Sequence, residues 1–347
     1  MRSRNYALVV LALSVLDQSP IPAGASAGDA LETTLELARL ADRLGYARYW
    51  LAEHHSFSAL AGSAPEILVG HVAAATTHIR VGSGGVMLPH YSPLKVAETF
   101  SMLEVLHPGR IDLGIGRAPG ADPLATFALK SGNRDPAADE FPNQLVELVG
   151  FLQGTIPDSH PYARIKVMPD SGDPPQIWLL GSGGSSAHYA AQFGMPYAFA
   201  HFISPTGGEP LVAQYREAFR ASATQSEPHV GICVSTICAE TDEEADELAS
   251  SLRLWRLRLE SGDPGQIPTV EEALGYPYTA SEQARVSELA SRFVVGSPDR
   301  VKRELLQLVE RLGADELFIV TICHDQAARL RSYVLIADAF GLKSATN

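Results

Sequence analysis

The sequence predicts an α/β protein: a (β/α)8 TIM barrel with loop insertions after strands 4 and 7. Three observations carry that expectation. Apolar, β-branched runs alternate with segments of helical period almost from end to end. The strand-like runs number eight, and the chain of 347 residues, 46% hydrophobic, is long enough to bury one large core. Continuous apolar strands separated by helices imply a parallel sheet covered on both faces, and eight such units favour a closed barrel over an open sheet.

The first strand is read over residues 7–16. Met1, Arg2 and Arg4 before it, and small residues around 23–27 after it, also give this stretch the outline of a secretory signal. The strand reading is preferred, because the later strands leave one place to fill. The other strands are expected at 48–52, 79–87, 110–115, 176–180, 197–202, 229–239 and 316–322. Between them, DALETTLELARLADRLG reads as a helix from an Asp29 cap to a Gly45 stop. Ser92 and Pro93 read as a cap and first helical residue, and SPDRVKRELLQLVERLG as a capped helix stopped at Gly313. The pattern loosens at 119–139, 157–175 and 262–278, which are rich in Pro, Gly and Asp. These are taken as insertions within a single domain spanning 1–347, of the kind that often serve as lids or binding loops.

Net charge is −13 with no basic run, which argues against nucleic acid as a partner. No later segment approaches the ~20 apolar residues of a membrane span. The three cysteines, Cys233, Cys238 and Cys323, form no CxxC pair, so reduced thiols and a cytoplasmic location are expected. Cys233 and Cys238 should face opposite sides of their strand, which disfavours a metal site.

Three stretches carry candidate chemistry. In VGSGGVML, Gly84 and Gly85 weaken a strand unless a bulge, an unusual peptide geometry or a close-packed ligand needs the room. RIDLGIGR repeats the pattern and ends on Arg117. Ligands sit at strand C-terminal ends in such folds, which suggests a planar ligand over Gly84 and Gly85 with its anionic end near Arg117. In ARYWLAEHHS, Glu53, His54 and His55 fall just past a strand end. A histidine there can act as general base or hydrogen-bond donor, or serve only as a satisfied structural residue. The two adjacent rings cannot face the same way if the strand continues through them. In GSGGSS, the glycines and serines of 181–186 precede a helix, so the loop suits a phosphate, or an ordinary capped turn. It lacks the GxGxxG spacing and the Walker lysine. Together, Ser182 to Ser185, Arg117 and the Gly84–Gly85 floor suit a flavin phosphate and ring, with the histidines at the flavin's reactive edge.

These motifs, in order, resemble the bacterial luciferase-like flavin-dependent monooxygenase superfamily. The resemblance runs through LSVLDQSPI, YWLAEHHS, the whole of 81–120, LLGSGGSSAHYAAQFGMPYAFAHFISP and the closing SPDRVKRELLQLVERLGADELFIVT. It implies a (β/α)8 barrel that binds reduced FMN supplied by a separate reductase and uses O2 to oxygenate a small or medium organic substrate. By position it makes His54 the catalytic histidine, which stabilises or protonates flavin–oxygen species. Arg117, Ser182, Gly183, Gly184 and Ser185 become phosphate contacts, and Gly84–Gly85 a non-proline cis peptide beneath the flavin ring. It also implies a homodimer across the early barrel helices. Gly116 and Gly181 stand where the luciferase catalytic subunit has a reactive cysteine and a glutamate, which weakens the case for light emission. Two alternatives remain open. One is hydride transfer with coenzyme F420, used by sister branches; the other is a non-catalytic flavin-binding protein or partner subunit.

Overall fold

The computed structural model describes residues 11–130, 140–262 and 265–343. Strand β1 (Ala12–Asp17) leads into helix α1 (Ala27–Leu44), then β2 (Arg48–Leu51), α2 (Pro65–Ala75), β3 (Arg80–Met87) and α3 (Pro93–Leu106). Next come β4 (Ile111–Gly116), α4 (Pro123–Leu129), α5 (Phe141–Gln153), β5 (Gln176–Gly181), α6 (Gly184–Phe193), β6 (Tyr197–Phe199) and α7 (Gly208–Ala218). The chain continues through β7 (Val230–Cys238), α8 (Asp242–Glu260), α9 (Val270–Gly275), α10 (Ala280–Ala290) and β8 (Phe293–Gly296). It ends with α11 (Pro298–Leu312), β9 (Glu316–Val320) and α12 (Gln326–Phe340).

The strands β1 to β7 pair in sequence order, β7 pairs with β9, and β9 returns to β1, all in parallel. This closed ring of eight is the (β/α)8 barrel, and each expected run supplies one of its strands. Residues 7–10 of the first run lie outside the described residues. β8 was not foreseen: its four residues, FVVG, pair with Ser235–Cys238 at the far end of β7. So short a run, wedged between two helices, carries no period of its own.

Local chemistry sets the helix ends. The cap of α1 is Ser26 rather than Asp29. The Ser26 hydroxyl accepts from the Asp29 N–H while the Asp29 carboxylate accepts from the Ser26 N–H, a capping box that moves the start three residues upstream. α3 and α11 start with Pro93 and Pro298 in the first turn, after Ser92 and Ser297.

The loosened segments differ in where they lie. The 119–139 segment follows β4 and holds α4; its residues 131–139 lie outside those described. The 262–278 segment holds α9, and Ile267 pairs with the loop after β1: its N–H donates to Ile21 O at 3.1 Å and its carbonyl accepts from Ala23 N at 2.8 Å. By contrast, 157–175 joins the end of α5 to the start of β5, at the opposite end of the barrel from the strand C-termini. No described helix is long and apolar enough to cross a membrane.

Inward side chains fill the barrel in layers. At the floor, Arg48 bonds Asp112 at 2.7 Å and Glu316 at 3.1 Å, and Arg80 adds a second guanidinium on Asp112 at 2.6 Å. Burial pushes the Glu316 carboxyl up, but Arg48, with hydrogen bonds from His229 and Ser14, overcomes it and holds the group below its ordinary value. Above lies an aromatic layer: Trp50 stacks on Phe318 at 4.1 Å and meets Trp178 edge-on at 5.0 Å. Glycines make space for these layers. A Cβ on Gly114 would sit 2.1 Å from the Ser83 carbonyl oxygen, which is backbone and cannot move aside.

Gly114→Ala should therefore destabilise the barrel by about 1–3 kcal/mol, the usual cost of overpacking. Gly183→Ala, whose Cβ meets nothing within 4 Å, should be close to neutral. Urea unfolding of both variants checks this; equal midpoints would contradict the packing argument.

Candidate active site

A cavity of about 440 Å³ opens at the C-terminal end of the barrel strands. That size falls in the range of cofactor and small-molecule sites, ~300–1,000 Å³. Of the residues expected to form a site, His54, Gly84, Gly85, Arg117, Ser182, Gly183 and Ser185 all line it. Gly184 is not on the wall; it begins α6, and its Cβ would face Leu211.

The floor lies on β3. The Gly84–Gly85 peptide is cis, and the β3–β4 register shifts between Ser83 and Val86. The reason for glycine is on the protein side. A Cβ on Gly84 would come within 2.5 Å of Leu16 Cδ1 and 3.0 Å of Trp50 Cβ, and one on Gly85 within 2.6 Å of the Gly114 carbonyl oxygen.

One end of the cavity is built for an anion. β4 ends at Gly116 and delivers Arg117, whose Nη1 donates to Ser185 Oγ at 3.1 Å. Ser185 lies in the first turn of α6, whose N-cap Gly183 is extended and supplies no side-chain cap. The leading N–H groups of that helix and its positive dipole end therefore lie at the cavity wall beside a guanidinium. The GSGGSS loop and the arginine, far apart in sequence, meet here.

His54 follows β2. Its backbone N–H donates to Gly62 O at 2.8 Å, and its ring meets Phe57 edge-on at 5.9 Å. The Nδ1 atom is buried without a hydrogen-bond partner. Burial, helped by the nearby His55, pulls the pKa down from 6.5 to about 4, so the ring is neutral at ordinary pH. A neutral imidazole can both accept and donate, whereas an imidazolium only donates.

His55 turns the other way. Its Nε2 lies 2.7 Å from Glu53 Oε1, and its N–H donates to Gly120 O at 2.9 Å. Glu53 is fully buried and also accepts from the Tyr91 hydroxyl at 2.8 Å and the Met87 N–H at 2.9 Å. It thus ties the segment carrying His54 to the end of β3 and the turn beyond. Its clamp role was not legible, since Tyr91 is 38 positions away. Cavity residues Gln18, Met87, Phe202 and Cys233 were also missed. Cys233 faces this cavity while Cys238 packs in the outer core, on opposite faces of β7 as their spacing predicts.

A neutral histidine ring, a guanidinium beside the start of a helix and a side-chain-free floor share this one cavity, and such a donor set and shape can accommodate a flavin nucleotide.

Comparison with known proteins identifies the family of the chain. Residues 11–316 match the luciferase-like monooxygenase family. The chain is 39% identical over 328 residues to a luciferase-like monooxygenase of Escherichia coli (strain K12), covering 94% of this chain and 96% of that protein. It is 38% identical over 331 residues to an N-acetyl-S-alkylcysteine monooxygenase of Bacillus subtilis (strain 168), covering 95% and 98%. Its fold is similar to the crystal structure of apo-MsnO8, with TM-score 0.88 and 42% identity over 96% of this chain and 99% of that one.

The His54 environment sets a titration. Its ring should take up a proton in the folded protein with a midpoint near 4, not 6.5. As pH falls from 6.5 toward 4 the unfolded chain binds that proton first, so stability from this group is lost across that window. An imidazole-resolved NMR titration reads the midpoint; a value at or above 6.5 would contradict the burial argument.

Proposed function

Because this chain belongs to the luciferase-like monooxygenase family, whose members are flavin-dependent oxidoreductases, we propose that it is an FMN-dependent monooxygenase. It takes FMN reduced by a separate reductase and, with O2, oxygenates a small or medium apolar compound. One observation carries the reading: a single cavity joins His54, the Gly84–Gly85 floor and the Arg117–Ser185 anion cradle.

Reduced flavin supplies the activation of O2 for transfer of one oxygen atom to the substrate, the other leaving as water. The protein's part follows from its own groups. Arg117, Ser182, Ser185 and the start of α6 hold the phosphate end through charge-assisted hydrogen bonds. Gly84 and Gly85 offer a flat backbone surface to the ring. His54, neutral and at the cavity wall, holds or passes a proton through its ring. Leu16, Ala52, Leu180, Ala198 and Phe202 keep water from the reacting atoms and favour an apolar substrate. The name of the Bacillus subtilis relative makes S-alkylated cysteine derivatives a rational start for a substrate panel.

The assembly we propose is a homodimer packed across α2 and α3. Four large apolar side chains stand exposed there: Ile67 (69%), Met102 (48%), Val105 (44%) and Leu106 (61%). An isolated exposed apolar residue is ordinary, but four on two neighbouring helices support an interface on this face.

Mixing the enzyme with reduced FMN, O2 and a panel of thioethers and other apolar compounds should yield product carrying one atom from labelled O2. His54→Ala should cut that yield at least ~100-fold, the usual scale of general acid–base help. Full yield in that variant would refute the role of His54. Substrate oxidation with coenzyme F420 and without O2 incorporation would replace the monooxygenase reading by hydride transfer. Sedimentation velocity should show a dimer that Ile67→Glu with Leu106→Glu converts to monomer; a monomeric wild type would remove the assembly.

A further inference from the structure

The polar groups of the cavity wall fall at two places. The ends of β4 and β5 carry Arg117 and the 182–185 loop, while β1 and β2 carry Gln18 and His54. In the ring order β1 to β7 then β9, β1 lies across the barrel from β5. Gln18 therefore stands on the far side of the mouth from the anion cradle, beside His54 on the neighbouring strand end.

Gln18 is only 8% exposed, yet its carboxamide forms no hydrogen bond to any described residue. Its amide atoms are not sealed in the core but open to the cavity it lines, so their partner is whatever fills that space. Nor is it carried on a loose loop. Asp17, just before it, accepts from the Ser19 N–H at 2.8 Å, and its carbonyl accepts from Ala52 N at 2.9 Å. Ser19 sits at φ +48°, uncommon for a residue with a side chain, with its hydroxyl accepting from Thr34 Oγ1 at 2.9 Å and its carbonyl from Ala61 N at 2.9 Å. Buried Arg329 pairs with the same Asp17 carboxylate. A turn braced on both sides thus presents one unpaired amide to the cavity.

A carboxamide offers a donor and an acceptor side by side, and its complement is an edge with one N–H next to one C=O. The isoalloxazine ring has such an edge, C4=O beside N3–H, directly adjoining its reacting atoms. The geometry points to Gln18 as a cofactor-positioning residue whose carboxamide pairs with that N–H/C=O edge. Its neighbour His54 serves the reacting atoms, and the Arg117 cradle holds the other end. The inference rests on the FMN reading above.

The test is anaerobic equilibrium titration of the full chain with reduced FMN and with reduced 3-methyl-FMN, which lacks the N3–H donor, read by quenching of tryptophan fluorescence. The wild type should bind FMN about tenfold more tightly than the methylated flavin, the scale of one hydrogen bond of this kind. In Gln18→Leu and in the volume-matched Gln18→Met the preference should fall to about twofold or less. Equal affinity of the wild type for the two flavins, or a full preference kept by folded variants, overturns the inference and leaves FMN binding intact. A wild type that binds neither flavin overturns the FMN reading and the inference with it. The wild-type comparison stands even if a variant fails to fold.

Discussion

The rest of the structure depends on how the barrel interior is filled. Trp50, Trp178 and Phe318 occupy its middle in mutual contact, and Trp50 Nε1 donates to Asp112 Oδ2 at 3.0 Å, seating the aromatic layer on the charged floor. Three large rings inside eight strands leave no room for side chains opposite them. A Cβ on Gly231 would lie 2.7 Å from the Phe318 ring, and one on Gly82 2.5 Å from the Asp112 carbonyl oxygen. Bulk in the middle therefore demands glycine at Gly231 on β7 and Gly84 on β3, whereas Gly82 and Gly114 are required by the close backbone of β3 and β4 themselves. Above the rings the inward positions are small, Gly84, Gly85, Gly116 and Ala198, so the space the rings close below reopens as a cavity. Core and site are two outcomes of one distribution of side-chain volume along the strands.

The cavity is then shaped by a buried carboxylate that touches no arginine or lysine among the described residues. Glu53 accepts from His55, from the Tyr91 hydroxyl and from the Met87 main chain, so its charge is met by directed donors. Oε1 is met twice, by His55 and Tyr91, while Oε2 rests on the Met87 N–H alone, so the main-chain bond is the one whose loss would leave a buried oxygen unpaired. Through it the segment after β2 is locked to the end of β3, and His55 N–H bonds the turn after β4 at Gly120 O. The position of His54 is thus inherited from three strands at once. Its neutrality comes chiefly from burial of the ring, with His55, already part of the clamp, adding to it.

What could be read from the sequence was local. The eight runs, the glycine-bearing strand ends, the histidine pair and the GSGGSS loop each declare themselves within a dozen residues, and the barrel's rule that ligands sit at strand C-termini assembles them. What could not be read depends on contacts distant in sequence. Glu53 meets Tyr91, and Gln18 is defined by what it fails to touch, a property no pattern encodes. The glycines at 84 and 85 show a subtler gap. Their presence is visible, and a close-packed ligand was one of three explanations, but the crowding lies with Leu16, Trp50 and Gly114 on the barrel side. Likewise Ser26, not Asp29, caps α1, because either residue suits a cap and only the reciprocal pair of bonds decides.

The anion cradle poses an electrostatic problem that its construction answers. A chain of net charge −13 repels an anion at long range, and one guanidinium cannot reverse that field. Beyond about 8–10 Å, however, salt screens exposed charges, so the distant acidic surface contributes little at the cavity wall. Within that radius lie Arg117, the hydroxyl of Ser185 to which it donates, and the uncapped start of α6. Backbone N–H groups and hydroxyls are directional where a net positive patch is not. They reward an acceptor with several oxygens at one point, and do nothing for an extended polyanion. Anion binding in this site, where it occurs, would therefore rest on aimed donors at close range rather than on net charge, a route open to an acidic protein with no basic run.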